Sequence, residues 1–296
     1  MFIDYFPHGA GLFFFLSDTS MLKIAEMTEA DIRFAVNMTD IEQWGYLPED
    51  FHKLILFEPG GCFVAWLDNQ PVGMITSTSY DKYAFIGSLI VRNENRGEGI
   101  GEALINQAIA HLTAKGIETI ELDGVFAAVA LYRRLGFRDK YLSLRFARNA
   151  SDEYGELFPC PLDKADEVIA FDKKITGLDR SRMLELYFTE THNSIYAIIE
   201  DSVEAYALVR KRAGGVFAVG PLVAENQMYA ESLLQAILKK YGTRNLVIGV
   251  PALNSGFVDI LHENGFYYKL PSLRMYRGKK IDYERNIYGI LSAEKG

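Results

Sequence analysis

Between Arg96 and Gly101 the chain reads Arg-Gly-Glu-Gly-Ile-Gly, three glycines running into the start of an amphipathic helix. Glycine has no Cβ, so backbone N–H groups there can come close to a ligand, and a helix N-terminus favours an anion. The chemistry open to such a stretch is the holding of phosphate. A phosphate-bearing cofactor is therefore its expected occupant.

The elements that must position this loop flank it directly. Leu89-Ile90-Val91 is a short apolar strand, and Leu104, Ile105, Ala108, Ile109 and Leu112 fall on one face of a helix that Gly116 closes as C-cap. Strand, glycine turn and helix also describe a dinucleotide-binding fingerprint. Two details set this stretch apart: the third fingerprint glycine would fall on Glu102, and the polar run Arg92 to Arg96 separates the strand from the first glycine.

Arg96, Gly99 and Gly101 instead meet the pattern Arg/Gln-x-x-Gly-x-Gly/Ala, and Val91 stands five residues before Arg96. Downstream lies Leu131-Tyr132-Arg133-Arg134-Leu135-Gly136-Phe137. Together these resemble two elements of the GNAT acetyltransferases, the acetyl-CoA motif with its strand valine and the helix-to-strand signature Leu-Tyr-x-x-x-Gly-Phe. The resemblance implies an α+β fold on a mixed α/β sheet. It implies acetyl-CoA as cosubstrate, held by Leu89, Ile90 and Val91 along its pantetheine arm and by Arg96, Gly97, Glu98, Gly99, Ile100, Gly101 and Glu102 at its phosphates. It also implies direct acetyl transfer to an amine, with Tyr132 protonating the departing thiolate. On periodicity alone Tyr132 reads equally well as a core aromatic beside Leu131 and Leu135. Two positions depart from the pattern: Glu98 stands where many relatives have a basic residue, and Val125 replaces an asparagine often found seven residues before the tyrosine.

An amine must lose a proton before it attacks, yet the strand from Tyr83 to Val91 contains no carboxylate. Asp123, at the end of the next strand, is the expected general base, with Glu121 behind it and a relayed water as the alternative. In the family the segment between the first two helices borders the acceptor, so Trp44 and Tyr46, with Phe51, are expected substrate contacts. The competing reading of all three is packing onto the core.

Composition bounds these expectations. With 296 residues, 49% hydrophobic and 24% charged, the chain can build two globular domains. A net charge of −8 lacks the basic footprint of a nucleic-acid binder and suits an amine acceptor. Two cysteines, Cys62 and Cys160, with no Cys-x-x-Cys and no histidine at metal spacing, point to neither a disulfide framework nor a metal. The apolar run Gly11 to Leu16 is too short to span a bilayer and has no Lys or Arg before it, the first being Lys23. A cytoplasmic protein without membrane or nucleic-acid partners, monomeric or homodimeric, is expected. Residues 1–20 are expected to be an extension or a misassigned start, because Met21 to Ala25 begins like a first GNAT strand.

In chain order, Thr28-Glu29-Ala30-Asp31 predicts a capped helix start, 49–57 a second helix, and Cys62–Leu67 with Val72–Ser77 a hairpin. A polar stretch from Ser151 and the stiff Phe158-Pro159-Cys160-Pro161 predict a linker. Beyond it the order repeats: helices near 163–176 and 179–190, strands near 194–200, 203–210 and 215–224, then a helix. A constant offset of 129 residues carries Gly136-Phe137 onto Gly265-Phe266 and Ser143-Leu144-Arg145 onto Ser272-Leu273-Arg274. It also carries Leu104, Ile105 and Ile109 onto Leu233, Leu234 and Leu238, which predicts two GNAT-like folds in tandem: a catalytic domain at 21–149, a linker at 150–162 and a second domain at 163–296.

The same offset places Glu225, Asn226, Met228 and Leu261 where the first half has Arg96, Gly97, Gly99 and Tyr132. The second domain is thus expected to be a degenerate copy that shapes the acceptor site. This arrangement, with Gly220 to Ala224 and Pro251 to Asn254, resembles a group of bacterial acetyltransferases predicted from sequence. A small-molecule amine is the expected acceptor. The alternatives are a transferase for protein lysines or N-termini and a CoA-binding module without turnover.

Overall fold

The computed structural model describes residues 12–15, 21–152, 155–191 and 194–296. Its first half contains β1 (Leu12–Phe15), β2 (Met21–Glu26), α1 (Ile32–Ile41), α2 (Pro48–Phe57), β3 (Phe63–Leu67), β4 (Gln70–Tyr80), β5 (Tyr83–Val91), α3 (Ile100–Ala114), β6 (Thr119–Gly124), α4 (Val129–Arg134) and β7 (Arg138–Arg148). The second half contains α5 (Ala165–Thr176), α6 (Ser181–Thr191), β8 (Ile195–Ile199), β9 (Val203–Lys211), β10 (Phe217–Ala224), α7 (Gln227–Tyr241), β11 (Leu246–Pro251), α8 (Ser255–Glu263), β12 (Tyr267–Gly278) and β13 (Ile287–Gly289).

The contacts divide the chain into two compact units, Met1–Glu121 with Lys295, and Leu122–Glu294 with Gly296. That division falls well ahead of the 150–162 linker, for a reason visible in the strand pairing. β7, which belongs to the first half by sequence, runs antiparallel between β11 and β12 of the second. The hydrogen bonds of its ladders commit it to the second unit.

In the first unit β2, β3, β4 and β5 form an antiparallel meander, with β1 on β2, and β5 then pairs in parallel with β6. Asp68 and Asn69 turn the β3–β4 hairpin with φ of +47° and +64°, the left-handed pair that a two-residue turn demands. α1 begins where the Asp31 carboxylate accepts from both the Thr28 N–H and its hydroxyl at 2.8 Å. α2 starts on Pro48, and Asp50 accepts from the Leu47 N–H at 2.9 Å. The two helices close over a core of Ile32, Met38, Phe51, Leu54, Val64, Met74 and Ile90.

A buried charge cluster ties α2, β4 and α3 together. Glu58, 1% exposed, meets His111 Nε2 at 3.0 Å, the Lys115 ammonium and Ser79 Oγ at 2.5 Å. Gly61 makes this possible, since a Cβ there would stand 2.3 Å from Glu58 Cγ. Burial alone would raise the Glu58 pKa, but the hydrogen bonds from His111, Lys115 and Ser79 outweigh it and hold the carboxyl at about 2.

In the second unit the strand order is β12-β7-β11-β10-β9-β8, with β13 added to β10. β10 and β11 are parallel and the remaining pairs antiparallel. α7 and α8 cover one face through Leu233, Leu234, Ile237, Phe257 and Leu261. Opposite the helical cover, Asp172 holds Arg180 and accepts from the Tyr206 hydroxyl at 2.6 Å, joining α5 to β9.

Of the expected extension at 1–20, only Leu12–Phe15 lies among the described residues, paired antiparallel to β2. Among the described residues no helix is long and apolar enough to cross a membrane.

Candidate active site

The glycine loop is open. Gly97 and Gly99 adopt φ of +86° and +84°, and a Cβ built on either meets nothing within 4 Å. Glycine is required there by the left-handed backbone and not by crowding. Gly99 is also the N-cap of α3, so no side chain covers the helix start at Ile100 and Gly101. An anion can approach these N–H groups directly. Glu98 is exposed beside them and Glu102 lies in the first helical turn.

Arg96 is already engaged. Its Nη2 lies 2.7 Å from Glu42 Oε1 and its Nε donates to the Val91 carbonyl at 2.9 Å. Glu42 follows α1 directly, a position no motif marked. A phosphate on Arg96 would compete with this carboxylate.

Beyond Phe85, β5 offers an edge with no strand partner among the described residues. It pairs with β6 only at Tyr83↔Thr119, Ala84↔Ile120 and Phe85↔Glu121, then continues through Val91 with no β6 partner. The cause is a bulge: on the β4 side the register shifts between Met74↔Ile90 and Thr76↔Gly87, with Ser88 at φ +50°. Leu89, Ile90 and Val91 thus keep β4 on one edge; on the other, Arg96 Nε takes the Val91 carbonyl and no strand of the described residues pairs with the rest, which a ligand backbone can use. Open loop, uncapped helix and free edge all fit a cosubstrate with phosphates at one end and amides along its arm.

Tyr132 sits on α4, 6% exposed, edge-on to Phe137 at 6.1 Å between ring centroids. Its ring lies against Gly124, where a Cβ would approach ring carbon Cε2 to 2.9 Å. The ring is core packing, yet the hydroxyl takes no partner among the described residues. Burial pushes the phenol well above its ordinary pKa, so it keeps its proton at neutral pH as an acid must.

The Asp123 side chain is fully buried. Its Oδ2 meets Arg274 Nη2 at 3.0 Å and accepts from Ser143 Oγ at 3.2 Å, while its buried Oδ1 accepts nothing among the described residues. The alternative acid, Glu121, is fully buried as well. Of the expected acceptor contacts, Tyr46 is 7% exposed and stacks on Phe51 at 5.5 Å, and Trp44 packs on the same cluster. Packing accounts for these residues where they stand. Cys62 is buried, with its thiol pushed up to about 12 by desolvation, and the described residues hold no cluster of acids, histidines and cysteines that could bind a metal.

Sequence reasoning missed Glu42, Ser143 and Arg274. The repeated Ser-Leu-Arg that contains the last two was visible, but only strand pairing reveals that Arg274 reaches Asp123.

The model of the acetyltransferase (GNAT) family matches residues 27–137, and a second GNAT acetyltransferase domain matches residues 168–289. The chain is 29% identical over 263 residues to the holothin acyltransferase of Pseudoalteromonas sp. (strain SANK 73390), covering 86% of this chain and 88% of that one. It shares 32% identity over 87 residues with the mycothiol acetyltransferase of Streptomyces coelicolor, or 27% of this chain and 28% of the relative. A solved structure of a candidate acetyltransferase from Pyrococcus horikoshii superposes with a TM-score of 0.77 at 28% identity, covering 93% of this chain and 96% of that one. With this loop, strand edge and tyrosine in place, the chain belongs to the GNAT acetyltransferase family and carries two GNAT domains in tandem.

Proposed function

We propose that this N-acetyltransferase moves an acetyl group from acetyl-CoA to the primary amine of a small molecule, using the first domain alone for the cosubstrate. The observation that carries this reading is the free edge of β5 ending at an uncapped α3, found in the first half only. Acetyl-CoA supplies the activated acyl group. The chain's own residues orient it: the loop N–H groups take its phosphates and the β5 edge pairs with its amides. A β5 N–H aimed at the thioester oxygen stabilises charge as it develops, an effect worth about 3 to 4 kcal/mol per donor. Holding both reactants together supplies much of the rest.

Tyr132 is the general acid: its phenol is protonated at neutral pH and its hydroxyl is spent on no partner among the described residues. Asp123 serves the acceptor side through Oδ1, since Oδ2 is committed to Arg274 and Ser143. The names of two relatives, a holothin acyltransferase and a mycothiol acetyltransferase, support a small acceptor.

Calorimetry with acetyl-CoA tests the reading. One site per chain, abolished by Arg96→Glu, is expected, followed by thiol release with free amines and not with denatured cell protein. Two sites would overturn the degenerate second copy. No site would leave the protein without this activity, and release with protein substrates alone would exchange the small acceptor for a macromolecular one.

A further inference from the structure

The repeat supplies its own control. The offset of 129 carries Ser143 onto Ser272, Arg145 onto Arg274, Lys140 onto Lys269 and Asp123 onto Ala252. β7 and β12 pair antiparallel with Ser143 directly opposite Ser272, so a local two-fold axis passes between the two serines. Arg145 reaches across it to Ser272, and Arg274 reaches Asp123 at the end of β6, on the other side of β12.

On one side of the axis every cation has an acid. Arg274 meets Asp123 at 3.0 Å, Ser143 donates to the same oxygen at 3.2 Å, and Lys140 meets Glu284 at 3.0 Å. On the other side Arg145 Nη2 donates to Ser272 Oγ at 3.2 Å, and there the likeness stops. Ala252 replaces the aspartate. Among the described residues no carboxylate lies within ion-pair distance of Arg145 or Lys269, and Lys269 has only the Tyr267 ring at 5.4 Å. On β11, Gly249 stands opposite Arg145 and carries no side chain, and Ile290 lies over it.

Lys269 and Arg145 are direct cross-strand partners and share a face, where two like charges repel. An anion between them removes that cost. Lys269 is exposed and Arg145 half-buried, so solvent reaches both. A planar guanidinium beside a hydroxyl matches a carboxylate, the group that fills the mirror position on Arg274.

We propose that Arg145, Ser272 and Lys269 form a binding site for a carboxylate-bearing small molecule. The ligand's carboxylate stands in for the aspartate that the second copy lacks. It can belong to the acetyl acceptor or to a separate effector.

The test is titration of the full chain with sodium acetate, followed by calorimetry or amide chemical shifts, at ionic strength held constant with chloride. Saturable binding at one site is expected, weakened at least about tenfold by Arg145→Gln. Ala252→Asp should abolish it and raise Tm, because it restores the mirror ion pair. An unsaturable response would overturn the site, as would an affinity unchanged in Arg145→Gln; tighter binding of inorganic phosphate than of acetate would overturn the carboxylate assignment. A matched pair of amines, with and without a carboxylate, identifies the source. A KM raised by Arg145→Gln for the carboxylate-bearing amine only assigns the site to the acceptor, and saturable acetate binding with both KM values unchanged assigns it to an effector.

Discussion

Strands β5 and β10 are built alike and end differently. Each pairs with a parallel neighbour over three residues and then runs on past it, β5 from Phe85↔Glu121 to Val91 and β10 from Val219↔Ile248 to Ala224. Beyond that point no further strand of the described residues pairs with that edge of β5. β10 differs: β13 lies along it at Leu222↔Gly289 and Val223↔Ile287, and the Ile290 N–H bonds the Gly249 carbonyl of β11 at 2.9 Å. Two glycines admit this segment, since a Cβ at Gly220 would stand 2.0 Å from the Ile290 oxygen and one at Gly249 2.7 Å from its side chain.

The helices that follow differ in the same sense. α3 opens on Gly99 with no side-chain cap, whereas α7 opens on Asn226, whose side chain accepts from the Tyr229 N–H at 3.1 Å. Both copies therefore possess the backbone donors that a cosubstrate would use. In the second they are spent on the chain itself, which satisfies them as fully as a ligand would. A duplicated fold can thus keep its backbone plan while spending these donors differently.

The comparison can be broken at three places. The largest expected effect is at Tyr132 and its counterpart Leu261: Tyr132→Phe should lower kcat about 100- to 10,000-fold with acetyl-CoA affinity little changed. Leu261→Ala should instead cost about 2 to 5 kcal/mol of stability and leave turnover per folded molecule intact. Steady-state kinetics beside denaturant melts separate the two, and unchanged turnover in Tyr132→Phe would remove the phenol from the mechanism.

Next come the mirrored arginines. Arg274→Met leaves the Asp123 carboxylate buried without its ion-pair partner and should cost about 3 to 5 kcal/mol, whereas Arg145→Met, which strands no acid, should cost less than about 1 kcal/mol. Equal costs in urea denaturation would mean the two-fold partners are energetically equivalent.

The smallest effect concerns acid. Glu58 has a folded pKa of about 2 against an ordinary 4.5, so its contribution is present above about pH 4.5 and is lost as the pH falls toward 2. Its size is on the order of 3 kcal/mol. Glu58→Gln should lower stability at neutral pH and flatten the acid limb of a stability profile, and an unchanged limb would place the acid weakness elsewhere.

Much of the fold was legible because it rests on local rules. The second-half helices and strands expected at 163–176, 179–190, 194–200, 203–210 and 215–224 stand at Ala165–Thr176, Ser181–Thr191, Ile195–Ile199, Val203–Lys211 and Phe217–Ala224. Apolar periodicity and capping residues carry that information in a short window. Tyr46 is less legible for a related reason: an aromatic in a loop carries the same letter whether it lines a cleft or packs on a neighbour, and here its ring lies 5.5 Å from that of Phe51.

From the sequence alone come the glycine loop, the tyrosine signature, the tandem repeat and its different residues at Glu225, Met228 and Leu261, because each depends on residue identity at a fixed spacing. Three features belong to tertiary structure only. β7 is inserted between β11 and β12, β13 fills the edge of β10, and Arg274 is delivered to Asp123 across 151 residues of chain. Strand pairing and buried ion pairs are chosen by geometry between distant segments, and no local pattern of side chains encodes which edge a strand will find.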